Sequence, residues 1–311
     1  MGGVPSLTII TTVLNGEPHI AEMLSSIPTD LPIEHLVIDG GSTDGTFDRL
    51  GQTPGITLLS RPGMSLYAAW NYALDQAAGQ AVWFVNADDV VAPTATEAAV
   101  AALEKHPEAD IIQGRAEAFE CVDTVEVRET SFRYPAPGEH LNVTDLVFGA
   151  PVINSRIYRR RLIDRSRPFD TSYRFAADRD WLLQMAVSDR LPVCVEIDSV
   201  LYRYRVHAGS MTLSQDAGRR LAIAEEHTRI ADGLLSGTPI PSETRELLQA
   251  WRARELLVAA VSSLRTRRWK QGLHHGRALL SGARQSARFL SRARRGRLDY
   301  VGRLDYRWKS N

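Results

Sequence analysis

A-V-W-F-V-N-A-D-D, residues 81–89, is the stretch whose reading decides the fold: an apolar run with β-branched and aromatic residues stops abruptly at two adjacent carboxylates. A strand of that composition is covered on both faces, as in a parallel sheet flanked by helices. Its carboxylates then fall at the C-terminal edge of the sheet, where open α/β folds bind ligands. Two acids there make a hard, oxygen-rich site suited to Mg²⁺ or Mn²⁺ carrying phosphates. Read alone, they are equally a solvated loop pair, with Asp89 leading into the helix that Pro93 begins.

Outward from this segment, strand-like and helix-like pieces alternate as in βαβα folds. Strands are expected over 7–13, 35–38, 56–60, 81–85 and 110–113, and helices over 18–26, 46–50, 65–77 and 93–105. Right-handed crossovers would gather Asn15, Asp39, Arg61 and Asp88 on one rim. Beyond this, 116–133 reads as short β-prone pieces, 152–158, 193–197 and 200–205 as strands, and 178–188 as a helix. Helices over 219–235 and 243–264 follow, the latter with Leu247, Leu248, Trp251, Val258, Val261 and Leu264 as an apolar stripe. The fold class is therefore α/β with a helical C-terminal extension, divided into 1–212 and 213–311.

Composition excludes several classes. The 311 residues are 44% hydrophobic and 24% charged, as in ordinary globular chains. Cys121 and Cys194 show no disulfide or metal spacing, so free thiols in a reducing compartment are expected. Met1 runs almost directly into the first strand without a basic n-region or cleavage site, so no signal peptide is expected. No apolar run is long enough to span a bilayer. A net charge of zero hides an asymmetry: from Trp251 onward 14 Arg and 2 Lys face 3 acids. An acidic body with a basic tail, densest over 284–307, suits an anionic membrane surface. Nucleic acid is not the expected partner, because the tail has no nucleic-acid fold motif and carries an apolar stripe.

D-G-G-S-T-D-G-T, residues 39–46, follows the second strand. Asp39 can accept a hydrogen bond from an imide such as uracil N3–H, while Gly40 and Gly41 let the backbone approach a ligand. Ser42 and Asp44 are equally good helix caps, and Asp44 is read mainly as one. The spacing is not G-x-G-x-x-G.

Six ordered motifs now coincide. They are S-L-T-I-I-T-T-V-L-N-G (6–16), D-G-G-S-T-D-G-T, G-M-S-L-Y-A-A-W-N (63–71), V-N-A-D-D (85–89), F-A-A-D-R-D-W-L-L (175–183) and Y-R-Y-R-V-H-A-G-S-M-T (202–212). Together they resemble family 2 glycosyltransferases of inverting, bacterial type, with the Rossmann-like GT-A fold. The resemblance implies that Thr11, Val13 and Asn15 line a nucleotide pocket, that Asp39 reads the base and that Arg61 approaches base or phosphates. It places Asn71 and Tyr67 beside the sugar-diphosphate, although Tyr67 is as readily a helix residue packed on the sheet. Asn86, Ala87 and Asp88 would also meet the donor, and Asp88, Asp89 and His207 would hold Mn²⁺ or Mg²⁺. Asn86 departs from the usual D-x-D, and an amide there can bond a ribose hydroxyl or metal-bound water.

By the same resemblance Asp178 is the general base and Asp180 a secondary acid, because Ala177 stands where a glutamate is usual. Asp178 could instead cap its helix, and Trp181 either meets an acceptor sugar or belongs to the core. The expected activity moves a sugar from a nucleotide-diphosphate donor, UDP foremost, to a hydroxyl of a glycan or lipid-linked acceptor. The expected location is cytoplasmic, with the chain peripheral at the inner face of the cell membrane. The rivals are a two-carboxylate glycoside hydrolase, which leaves D-G-G-S-T-D-G-T unexplained, and a non-catalytic nucleotide-sugar-binding or scaffold protein, favoured by Asn86 and Ala177.

Overall fold

The computed structural model describes residues 4–122, 125–134, 141–149, 152–207, 216–237 and 239–281, with the side chains of 120–134 and 281 outside that description. The chain forms two compact units, Met1–His140 with Val152–Ala177 and Ser188–Ser210, and Leu141–Pro151 with Asp178–Val187 and Met211–Asn311. The second unit thus takes in two short segments upstream of the boundary expected at 212. The basic stretch 284–307 lies outside the described residues.

In the first unit the chain runs β1 (Leu7–Val13), α1 (Ile20–Ser25), β2 (Ile33–Asp39), α2 (Thr46–Gly51), β3 (Ile56–Ser60), α3 (Leu66–Gln76), β4 (Ala81–Phe84), β5 (Val90–Val91), α4 (Ala95–Lys105), β6 (Ile111–Val122) and β7 (Val125–Tyr134). After α5 (Val143–Phe148) of the second unit come a 3-10 turn (Ile153–Ser155), β8 (Arg156–Arg159) and α6 (Arg160–Arg165). The helix α7 (Ala177–Ala186) enters the second unit, and β9 (Cys194–Val206) completes the sheet.

Among the described residues nine strands form one sheet in the order β3-β2-β1-β4-β8-β6-β9-β5, with β7 paired to β6. The first four are mutually parallel. Ala81, Val82, Trp83 and Phe84 are each wholly buried, as the apolar run requires. Between α3 and β4 the chain passes so close to β1 that a Cβ on Gly79 would lie 2.5 Å from the Thr8 nitrogen, so only glycine fits. Register then fixes the rim. Val13 lies opposite Asp39, Asp39 opposite Ser60, and Ile10 opposite Phe84, so β1, β2, β3 and β4 release their C-terminal loops on the same side.

Beyond β4 the sheet becomes mixed, β8 running antiparallel to both β4 and β6. The 116–133 region is a hairpin of two long strands, β6 and β7, instead of separate short pieces. The two strands expected over 193–205 are one, β9, because Gln113 pairs Glu196 while Arg115 already pairs Val200. The residues bulged out between them break the alternation that marks a continuous strand.

Three consecutive arginines close the C-terminal ends of two helices. Arg159 donates to the carbonyls of Leu103, His106 and Ala109, at the end of α4 and just beyond it, and Arg160 to those of Leu74 and Ala77 at the end of α3. Arg161 bonds the Asp110 carboxylate and the carbonyls of Pro107, Glu108 and Ala109. Terminal carbonyls otherwise lack partners, and cations there also oppose the helix dipole. Arg160→Ala is expected to cost about 1–3 kcal/mol, read as a lower denaturation midpoint with unchanged circular dichroism at 20 °C or so.

In the second unit α8 (Ala217–Ser236) packs on α9 (Ser242–Arg265) through Leu221, Ala224 and Ala259, and α10 (Trp269–Ser281) follows. Asn142 begins α5 by accepting the Asp145 N–H at 2.9 Å. The Arg179 guanidinium donates to the Leu146 and Gly149 carbonyls at the end of that helix and lies over the Trp251 ring. Beside Trp251, His227 Nδ1 is 3.2 Å from the buried Glu255 carboxylate.

Candidate active site

On the rim of the first unit, the loops after β1 and β2 are stitched together. Asn15, held in the left-handed region at φ 54°, accepts the Thr43 N–H at 2.8 Å and donates its own N–H to Ser42 Oγ. Gly16 N–H donates to Thr46 Oγ1, and Glu17 N–H to Asp44 Oδ2. Asp44 Oδ1 in turn accepts from the Thr46 N–H and hydroxyl, so its role at the start of α2 is a local turn.

Asp39 ends β2 inside this frame, 1% exposed. Its Oδ1 accepts the N–H groups of Gly41 and Ser42 at 2.9 and 3.1 Å. Oδ2 is buried and accepts from no described group. A buried carboxylate oxygen without a donor is costly, which makes it a place for a ligand N–H or O–H. Gly41, at φ +99° with its Cβ position 3.1 Å from Pro62, has no room for a side chain.

After β4, Asp88 and Asp89 diverge in role. The Asp88 side chain is 40% exposed, and its Oδ2 lies 3.0 Å from His207 Nε2. Asp89 is 1% exposed, and its oxygens receive the Tyr202 hydroxyl (2.5 Å), Asn86 Nδ2 (3.0 Å) and the Arg205 N–H (2.7 Å). Burial, then the Asp88 charge, pushes the Asp89 carboxyl up to about 7 against these three donors. The Arg205 guanidinium bonds the Asp88 carbonyl and Glu22. His19 lies with its ring 4.9 Å from that of His207. Burial, reinforced by Arg205 and His207, holds the His19 imidazole below the usual histidine range.

Several residues expected to meet the donor are spent on the fold. Thr11 is wholly buried, with Oγ1 3.1 Å from His35 Nε2, and Val13 is 6% exposed. Asn71 uses both ends of its amide on the Phe169 backbone, accepting its N–H and donating to its carbonyl. Tyr67 is buried against Trp70 and Phe169. Asn86 donates to Asp89 and lies 3.5 Å from the Asn154 amide, and Ala87 is nearly buried beside it. The Arg61 guanidinium stacks on Tyr72 and bonds its hydroxyl and the Ser60 carbonyl. Trp181, in the second unit, is 3% exposed and belongs to the core.

Asp178 and Asp180 stand in the first turn of α7. The half-buried Asp178 accepts the Arg179 N–H at 2.8 Å, and Asp180 lies 3.4 Å from the Gln184 amide. Sequence reasoning missed the supports of Asp89, Tyr202 and Arg205. Their signal was the period-2 pattern Y-R-Y-R, which puts Tyr202 against Tyr204 on one face of β9 and stacks Arg203 and Arg205 on Phe119 from the other.

His35 itself, 5% exposed, is held neutral by burial, its pKa lowered to about 4. Above pH 6.5 or so both folded and unfolded states carry neutral imidazole. As pH falls from about 6.5 to about 4 the unfolded chain gains a proton that the folded one refuses, removing about 3 kcal/mol of stability. Urea titrations at pH 7.5 and 4.5 or so should show a smaller acid loss for His35→Gln than for wild type, and equal losses would contradict this account.

Residues 8–181 match the sequence model of the family described as glycosyl transferase family 2. The chain belongs to that family. A PGL/p-HBAD biosynthesis glycosyltransferase of Mycobacterium tuberculosis is 30% identical over 188 residues, 57% of this chain and 68% of that protein. An uncharacterized glycosyltransferase of the same species is 26% identical over 196 residues, 60% and 71% of the two chains. In fold, the glycosyltransferase is similar to the crystal structure of S. aureus TarS 1–349 in complex with UDP-GlcNAc. That likeness has a TM-score of 0.60 at 18% identity, covering 90% of this chain and 91% of that one. It is thus an α/β enzyme of the GT-A type, a glycosyltransferase.

Proposed function

We propose that this family 2 glycosyltransferase moves a sugar from UDP to a hydroxyl of a glycan or lipid-linked acceptor, with inversion. The observation that carries the reading is the buried, donor-less Oδ2 of Asp39 at the rim where the β1, β2 and β4 loops leave the sheet. Uracil offers an imide N–H for such an acceptor. The UDP-GlcNAc complex of TarS adds support for the donor class.

Among the described residues no three His, Cys, Asp or Glu cluster to hold a metal ion by themselves. The donor set at Asp88 and His207, one half-exposed carboxylate and one imidazole 3.0 Å apart, fits Mn²⁺ or Mg²⁺ whose remaining ligands come from a diphosphate and water. Asp89 is assigned no metal contact, because its oxygens already receive three donors; it holds Asn86, Tyr202 and the β9 backbone around the Asp88 loop. Such an ion would neutralise the charge left on the departing nucleotide. Asp178 takes the proton of the acceptor hydroxyl as its oxygen attacks the anomeric carbon, and the motif F-A-A-D-R-D-W-L-L supports that role. Asp180 helps by its charge.

A thermal-shift panel of UDP-, GDP- and ADP-sugars with and without Mn²⁺ tests this reading, since only a ligand bound to the native state raises its midpoint. UDP-sugars are expected to stabilise most, and more with Mn²⁺. Stabilisation by ADP-sugars alone would contradict it.

A further inference from the structure

Exposed large apolar side chains on the described residues concentrate at one place. Leu257, Val261 and Leu264 on α9 and Trp269, Leu273 and Leu280 on α10 are 42–72% exposed. Spacings of four and three residues on α9, and of four and seven on α10, put each trio on one helical face. A Cβ on Gly272 would lie 3.3 Å from Leu264, so the row on α9 reaches the second helix where the two touch. Arg265, Arg267, Arg268, Lys270 and Arg277 are exposed on the same segments. From Leu256 to Leu298 the sequence contains no acidic residue at all.

We infer that this α9–α10 face docks on an anionic phospholipid surface, Trp269, Leu273 and Leu280 entering the headgroup–acyl boundary and the basic residues meeting lipid phosphates. An amphipathic helix with tryptophan and leucine on one side and Lys or Arg around them binds in the plane of the interface. No helix among the described residues is long and apolar enough to cross a membrane. A second copy of the chain fits less well, because a two-fold pairing of this face would bring its own uncompensated cations together. The inference concerns where the enzyme sits and does not depend on the choice of donor.

The test is sedimentation of the full chain with phosphatidylcholine vesicles and with mixed phosphatidylcholine–phosphatidylglycerol vesicles. Wild type should pellet with the mixed vesicles only, and less as salt rises. The triple variant W269S/L273S/L280S, altered at exposed positions, should bind about tenfold or more weakly. R265Q/R267Q/R268Q/K270Q should weaken the preference for phosphatidylglycerol, and Leu191→Ser, also exposed but elsewhere, should bind as wild type. Matching circular dichroism melts establish that the variants are folded. Equal partition of wild type and the folded triple variant would overturn the inference. So would failure of wild type to bind either vesicle, or a dimer in solution that the triple variant converts to monomer without changing partition.

Discussion

Asp178→Asn is expected to lower turnover by about 10²–10⁴-fold while leaving UDP-sugar affinity within about threefold of wild type. The substitution keeps the shape of the side chain and an oxygen able to accept the Arg179 N–H. What it removes is a group that can bind the acceptor proton. Arg179 reinforces that expectation, because its guanidinium is fixed on the Leu146 and Gly149 carbonyls whatever stands at 178. Asp180→Asn should act far less, because Asp180 contributes charge without receiving the proton. Steady-state kinetics paired with calorimetric donor titration separate the two. An Asp178→Asn enzyme with wild-type turnover would assign the base elsewhere, and one that loses donor affinity in proportion would make Asp178 a structural residue.

Asp39→Asn is expected to weaken UDP binding by about 10–100-fold, the range for a hydrogen bond to a charged group. Here the geometry leaves no comfortable orientation for an amide. With its oxygen on the Gly41 and Ser42 N–H groups, the Asn NH₂ replaces Oδ2 and opposes an imide N–H. Turned over, it sets an NH₂ against two backbone N–H donors. The loss should be selective, falling on UDP while any weak ADP binding is unchanged. Calorimetry with both nucleotides reads this directly, and a uniform loss would point to a distorted rim in place of a lost base contact.

The centre of the parallel half of the sheet was legible because its strands are buried on both faces. Leu7–Val13 and Ala81–Phe84 need no tertiary knowledge to be recognised as strands. The positions of Asp39 and Asp88 were legible for a related reason, since an acid at or just after the end of an apolar strand lies where the chain leaves the sheet. Asn71 and Thr11 were not. Their bonding partners lie far away in sequence, Phe169 for the first and His35 for the second, so a motif cannot reveal that these side chains are consumed by the fold. The same limit applies to Asp89, which looks like the twin of Asp88 until β9 delivers Tyr202 and Arg205 to it. Helix α10 escaped notice because its segment carries no acid in its first turn and has Gly272 and Gly276 inside it, residues that weaken a helix reading.

In the proposed function one rim would take a uridine diphosphate at Asp39 and its metal ion at Asp88. A crystal soaked with UDP and Mn²⁺, with the manganese located by anomalous scattering, tests that claim most directly. The predicted result is uracil N3–H on Asp39 Oδ2, an anomalous peak bound to the Asp88 carboxylate and the diphosphate, and no manganese contact to Asp89. UDP bound away from the loops after β1, β2 and β4, or manganese held by Asp89 with its Tyr202 and Arg205 bonds broken, would contradict it.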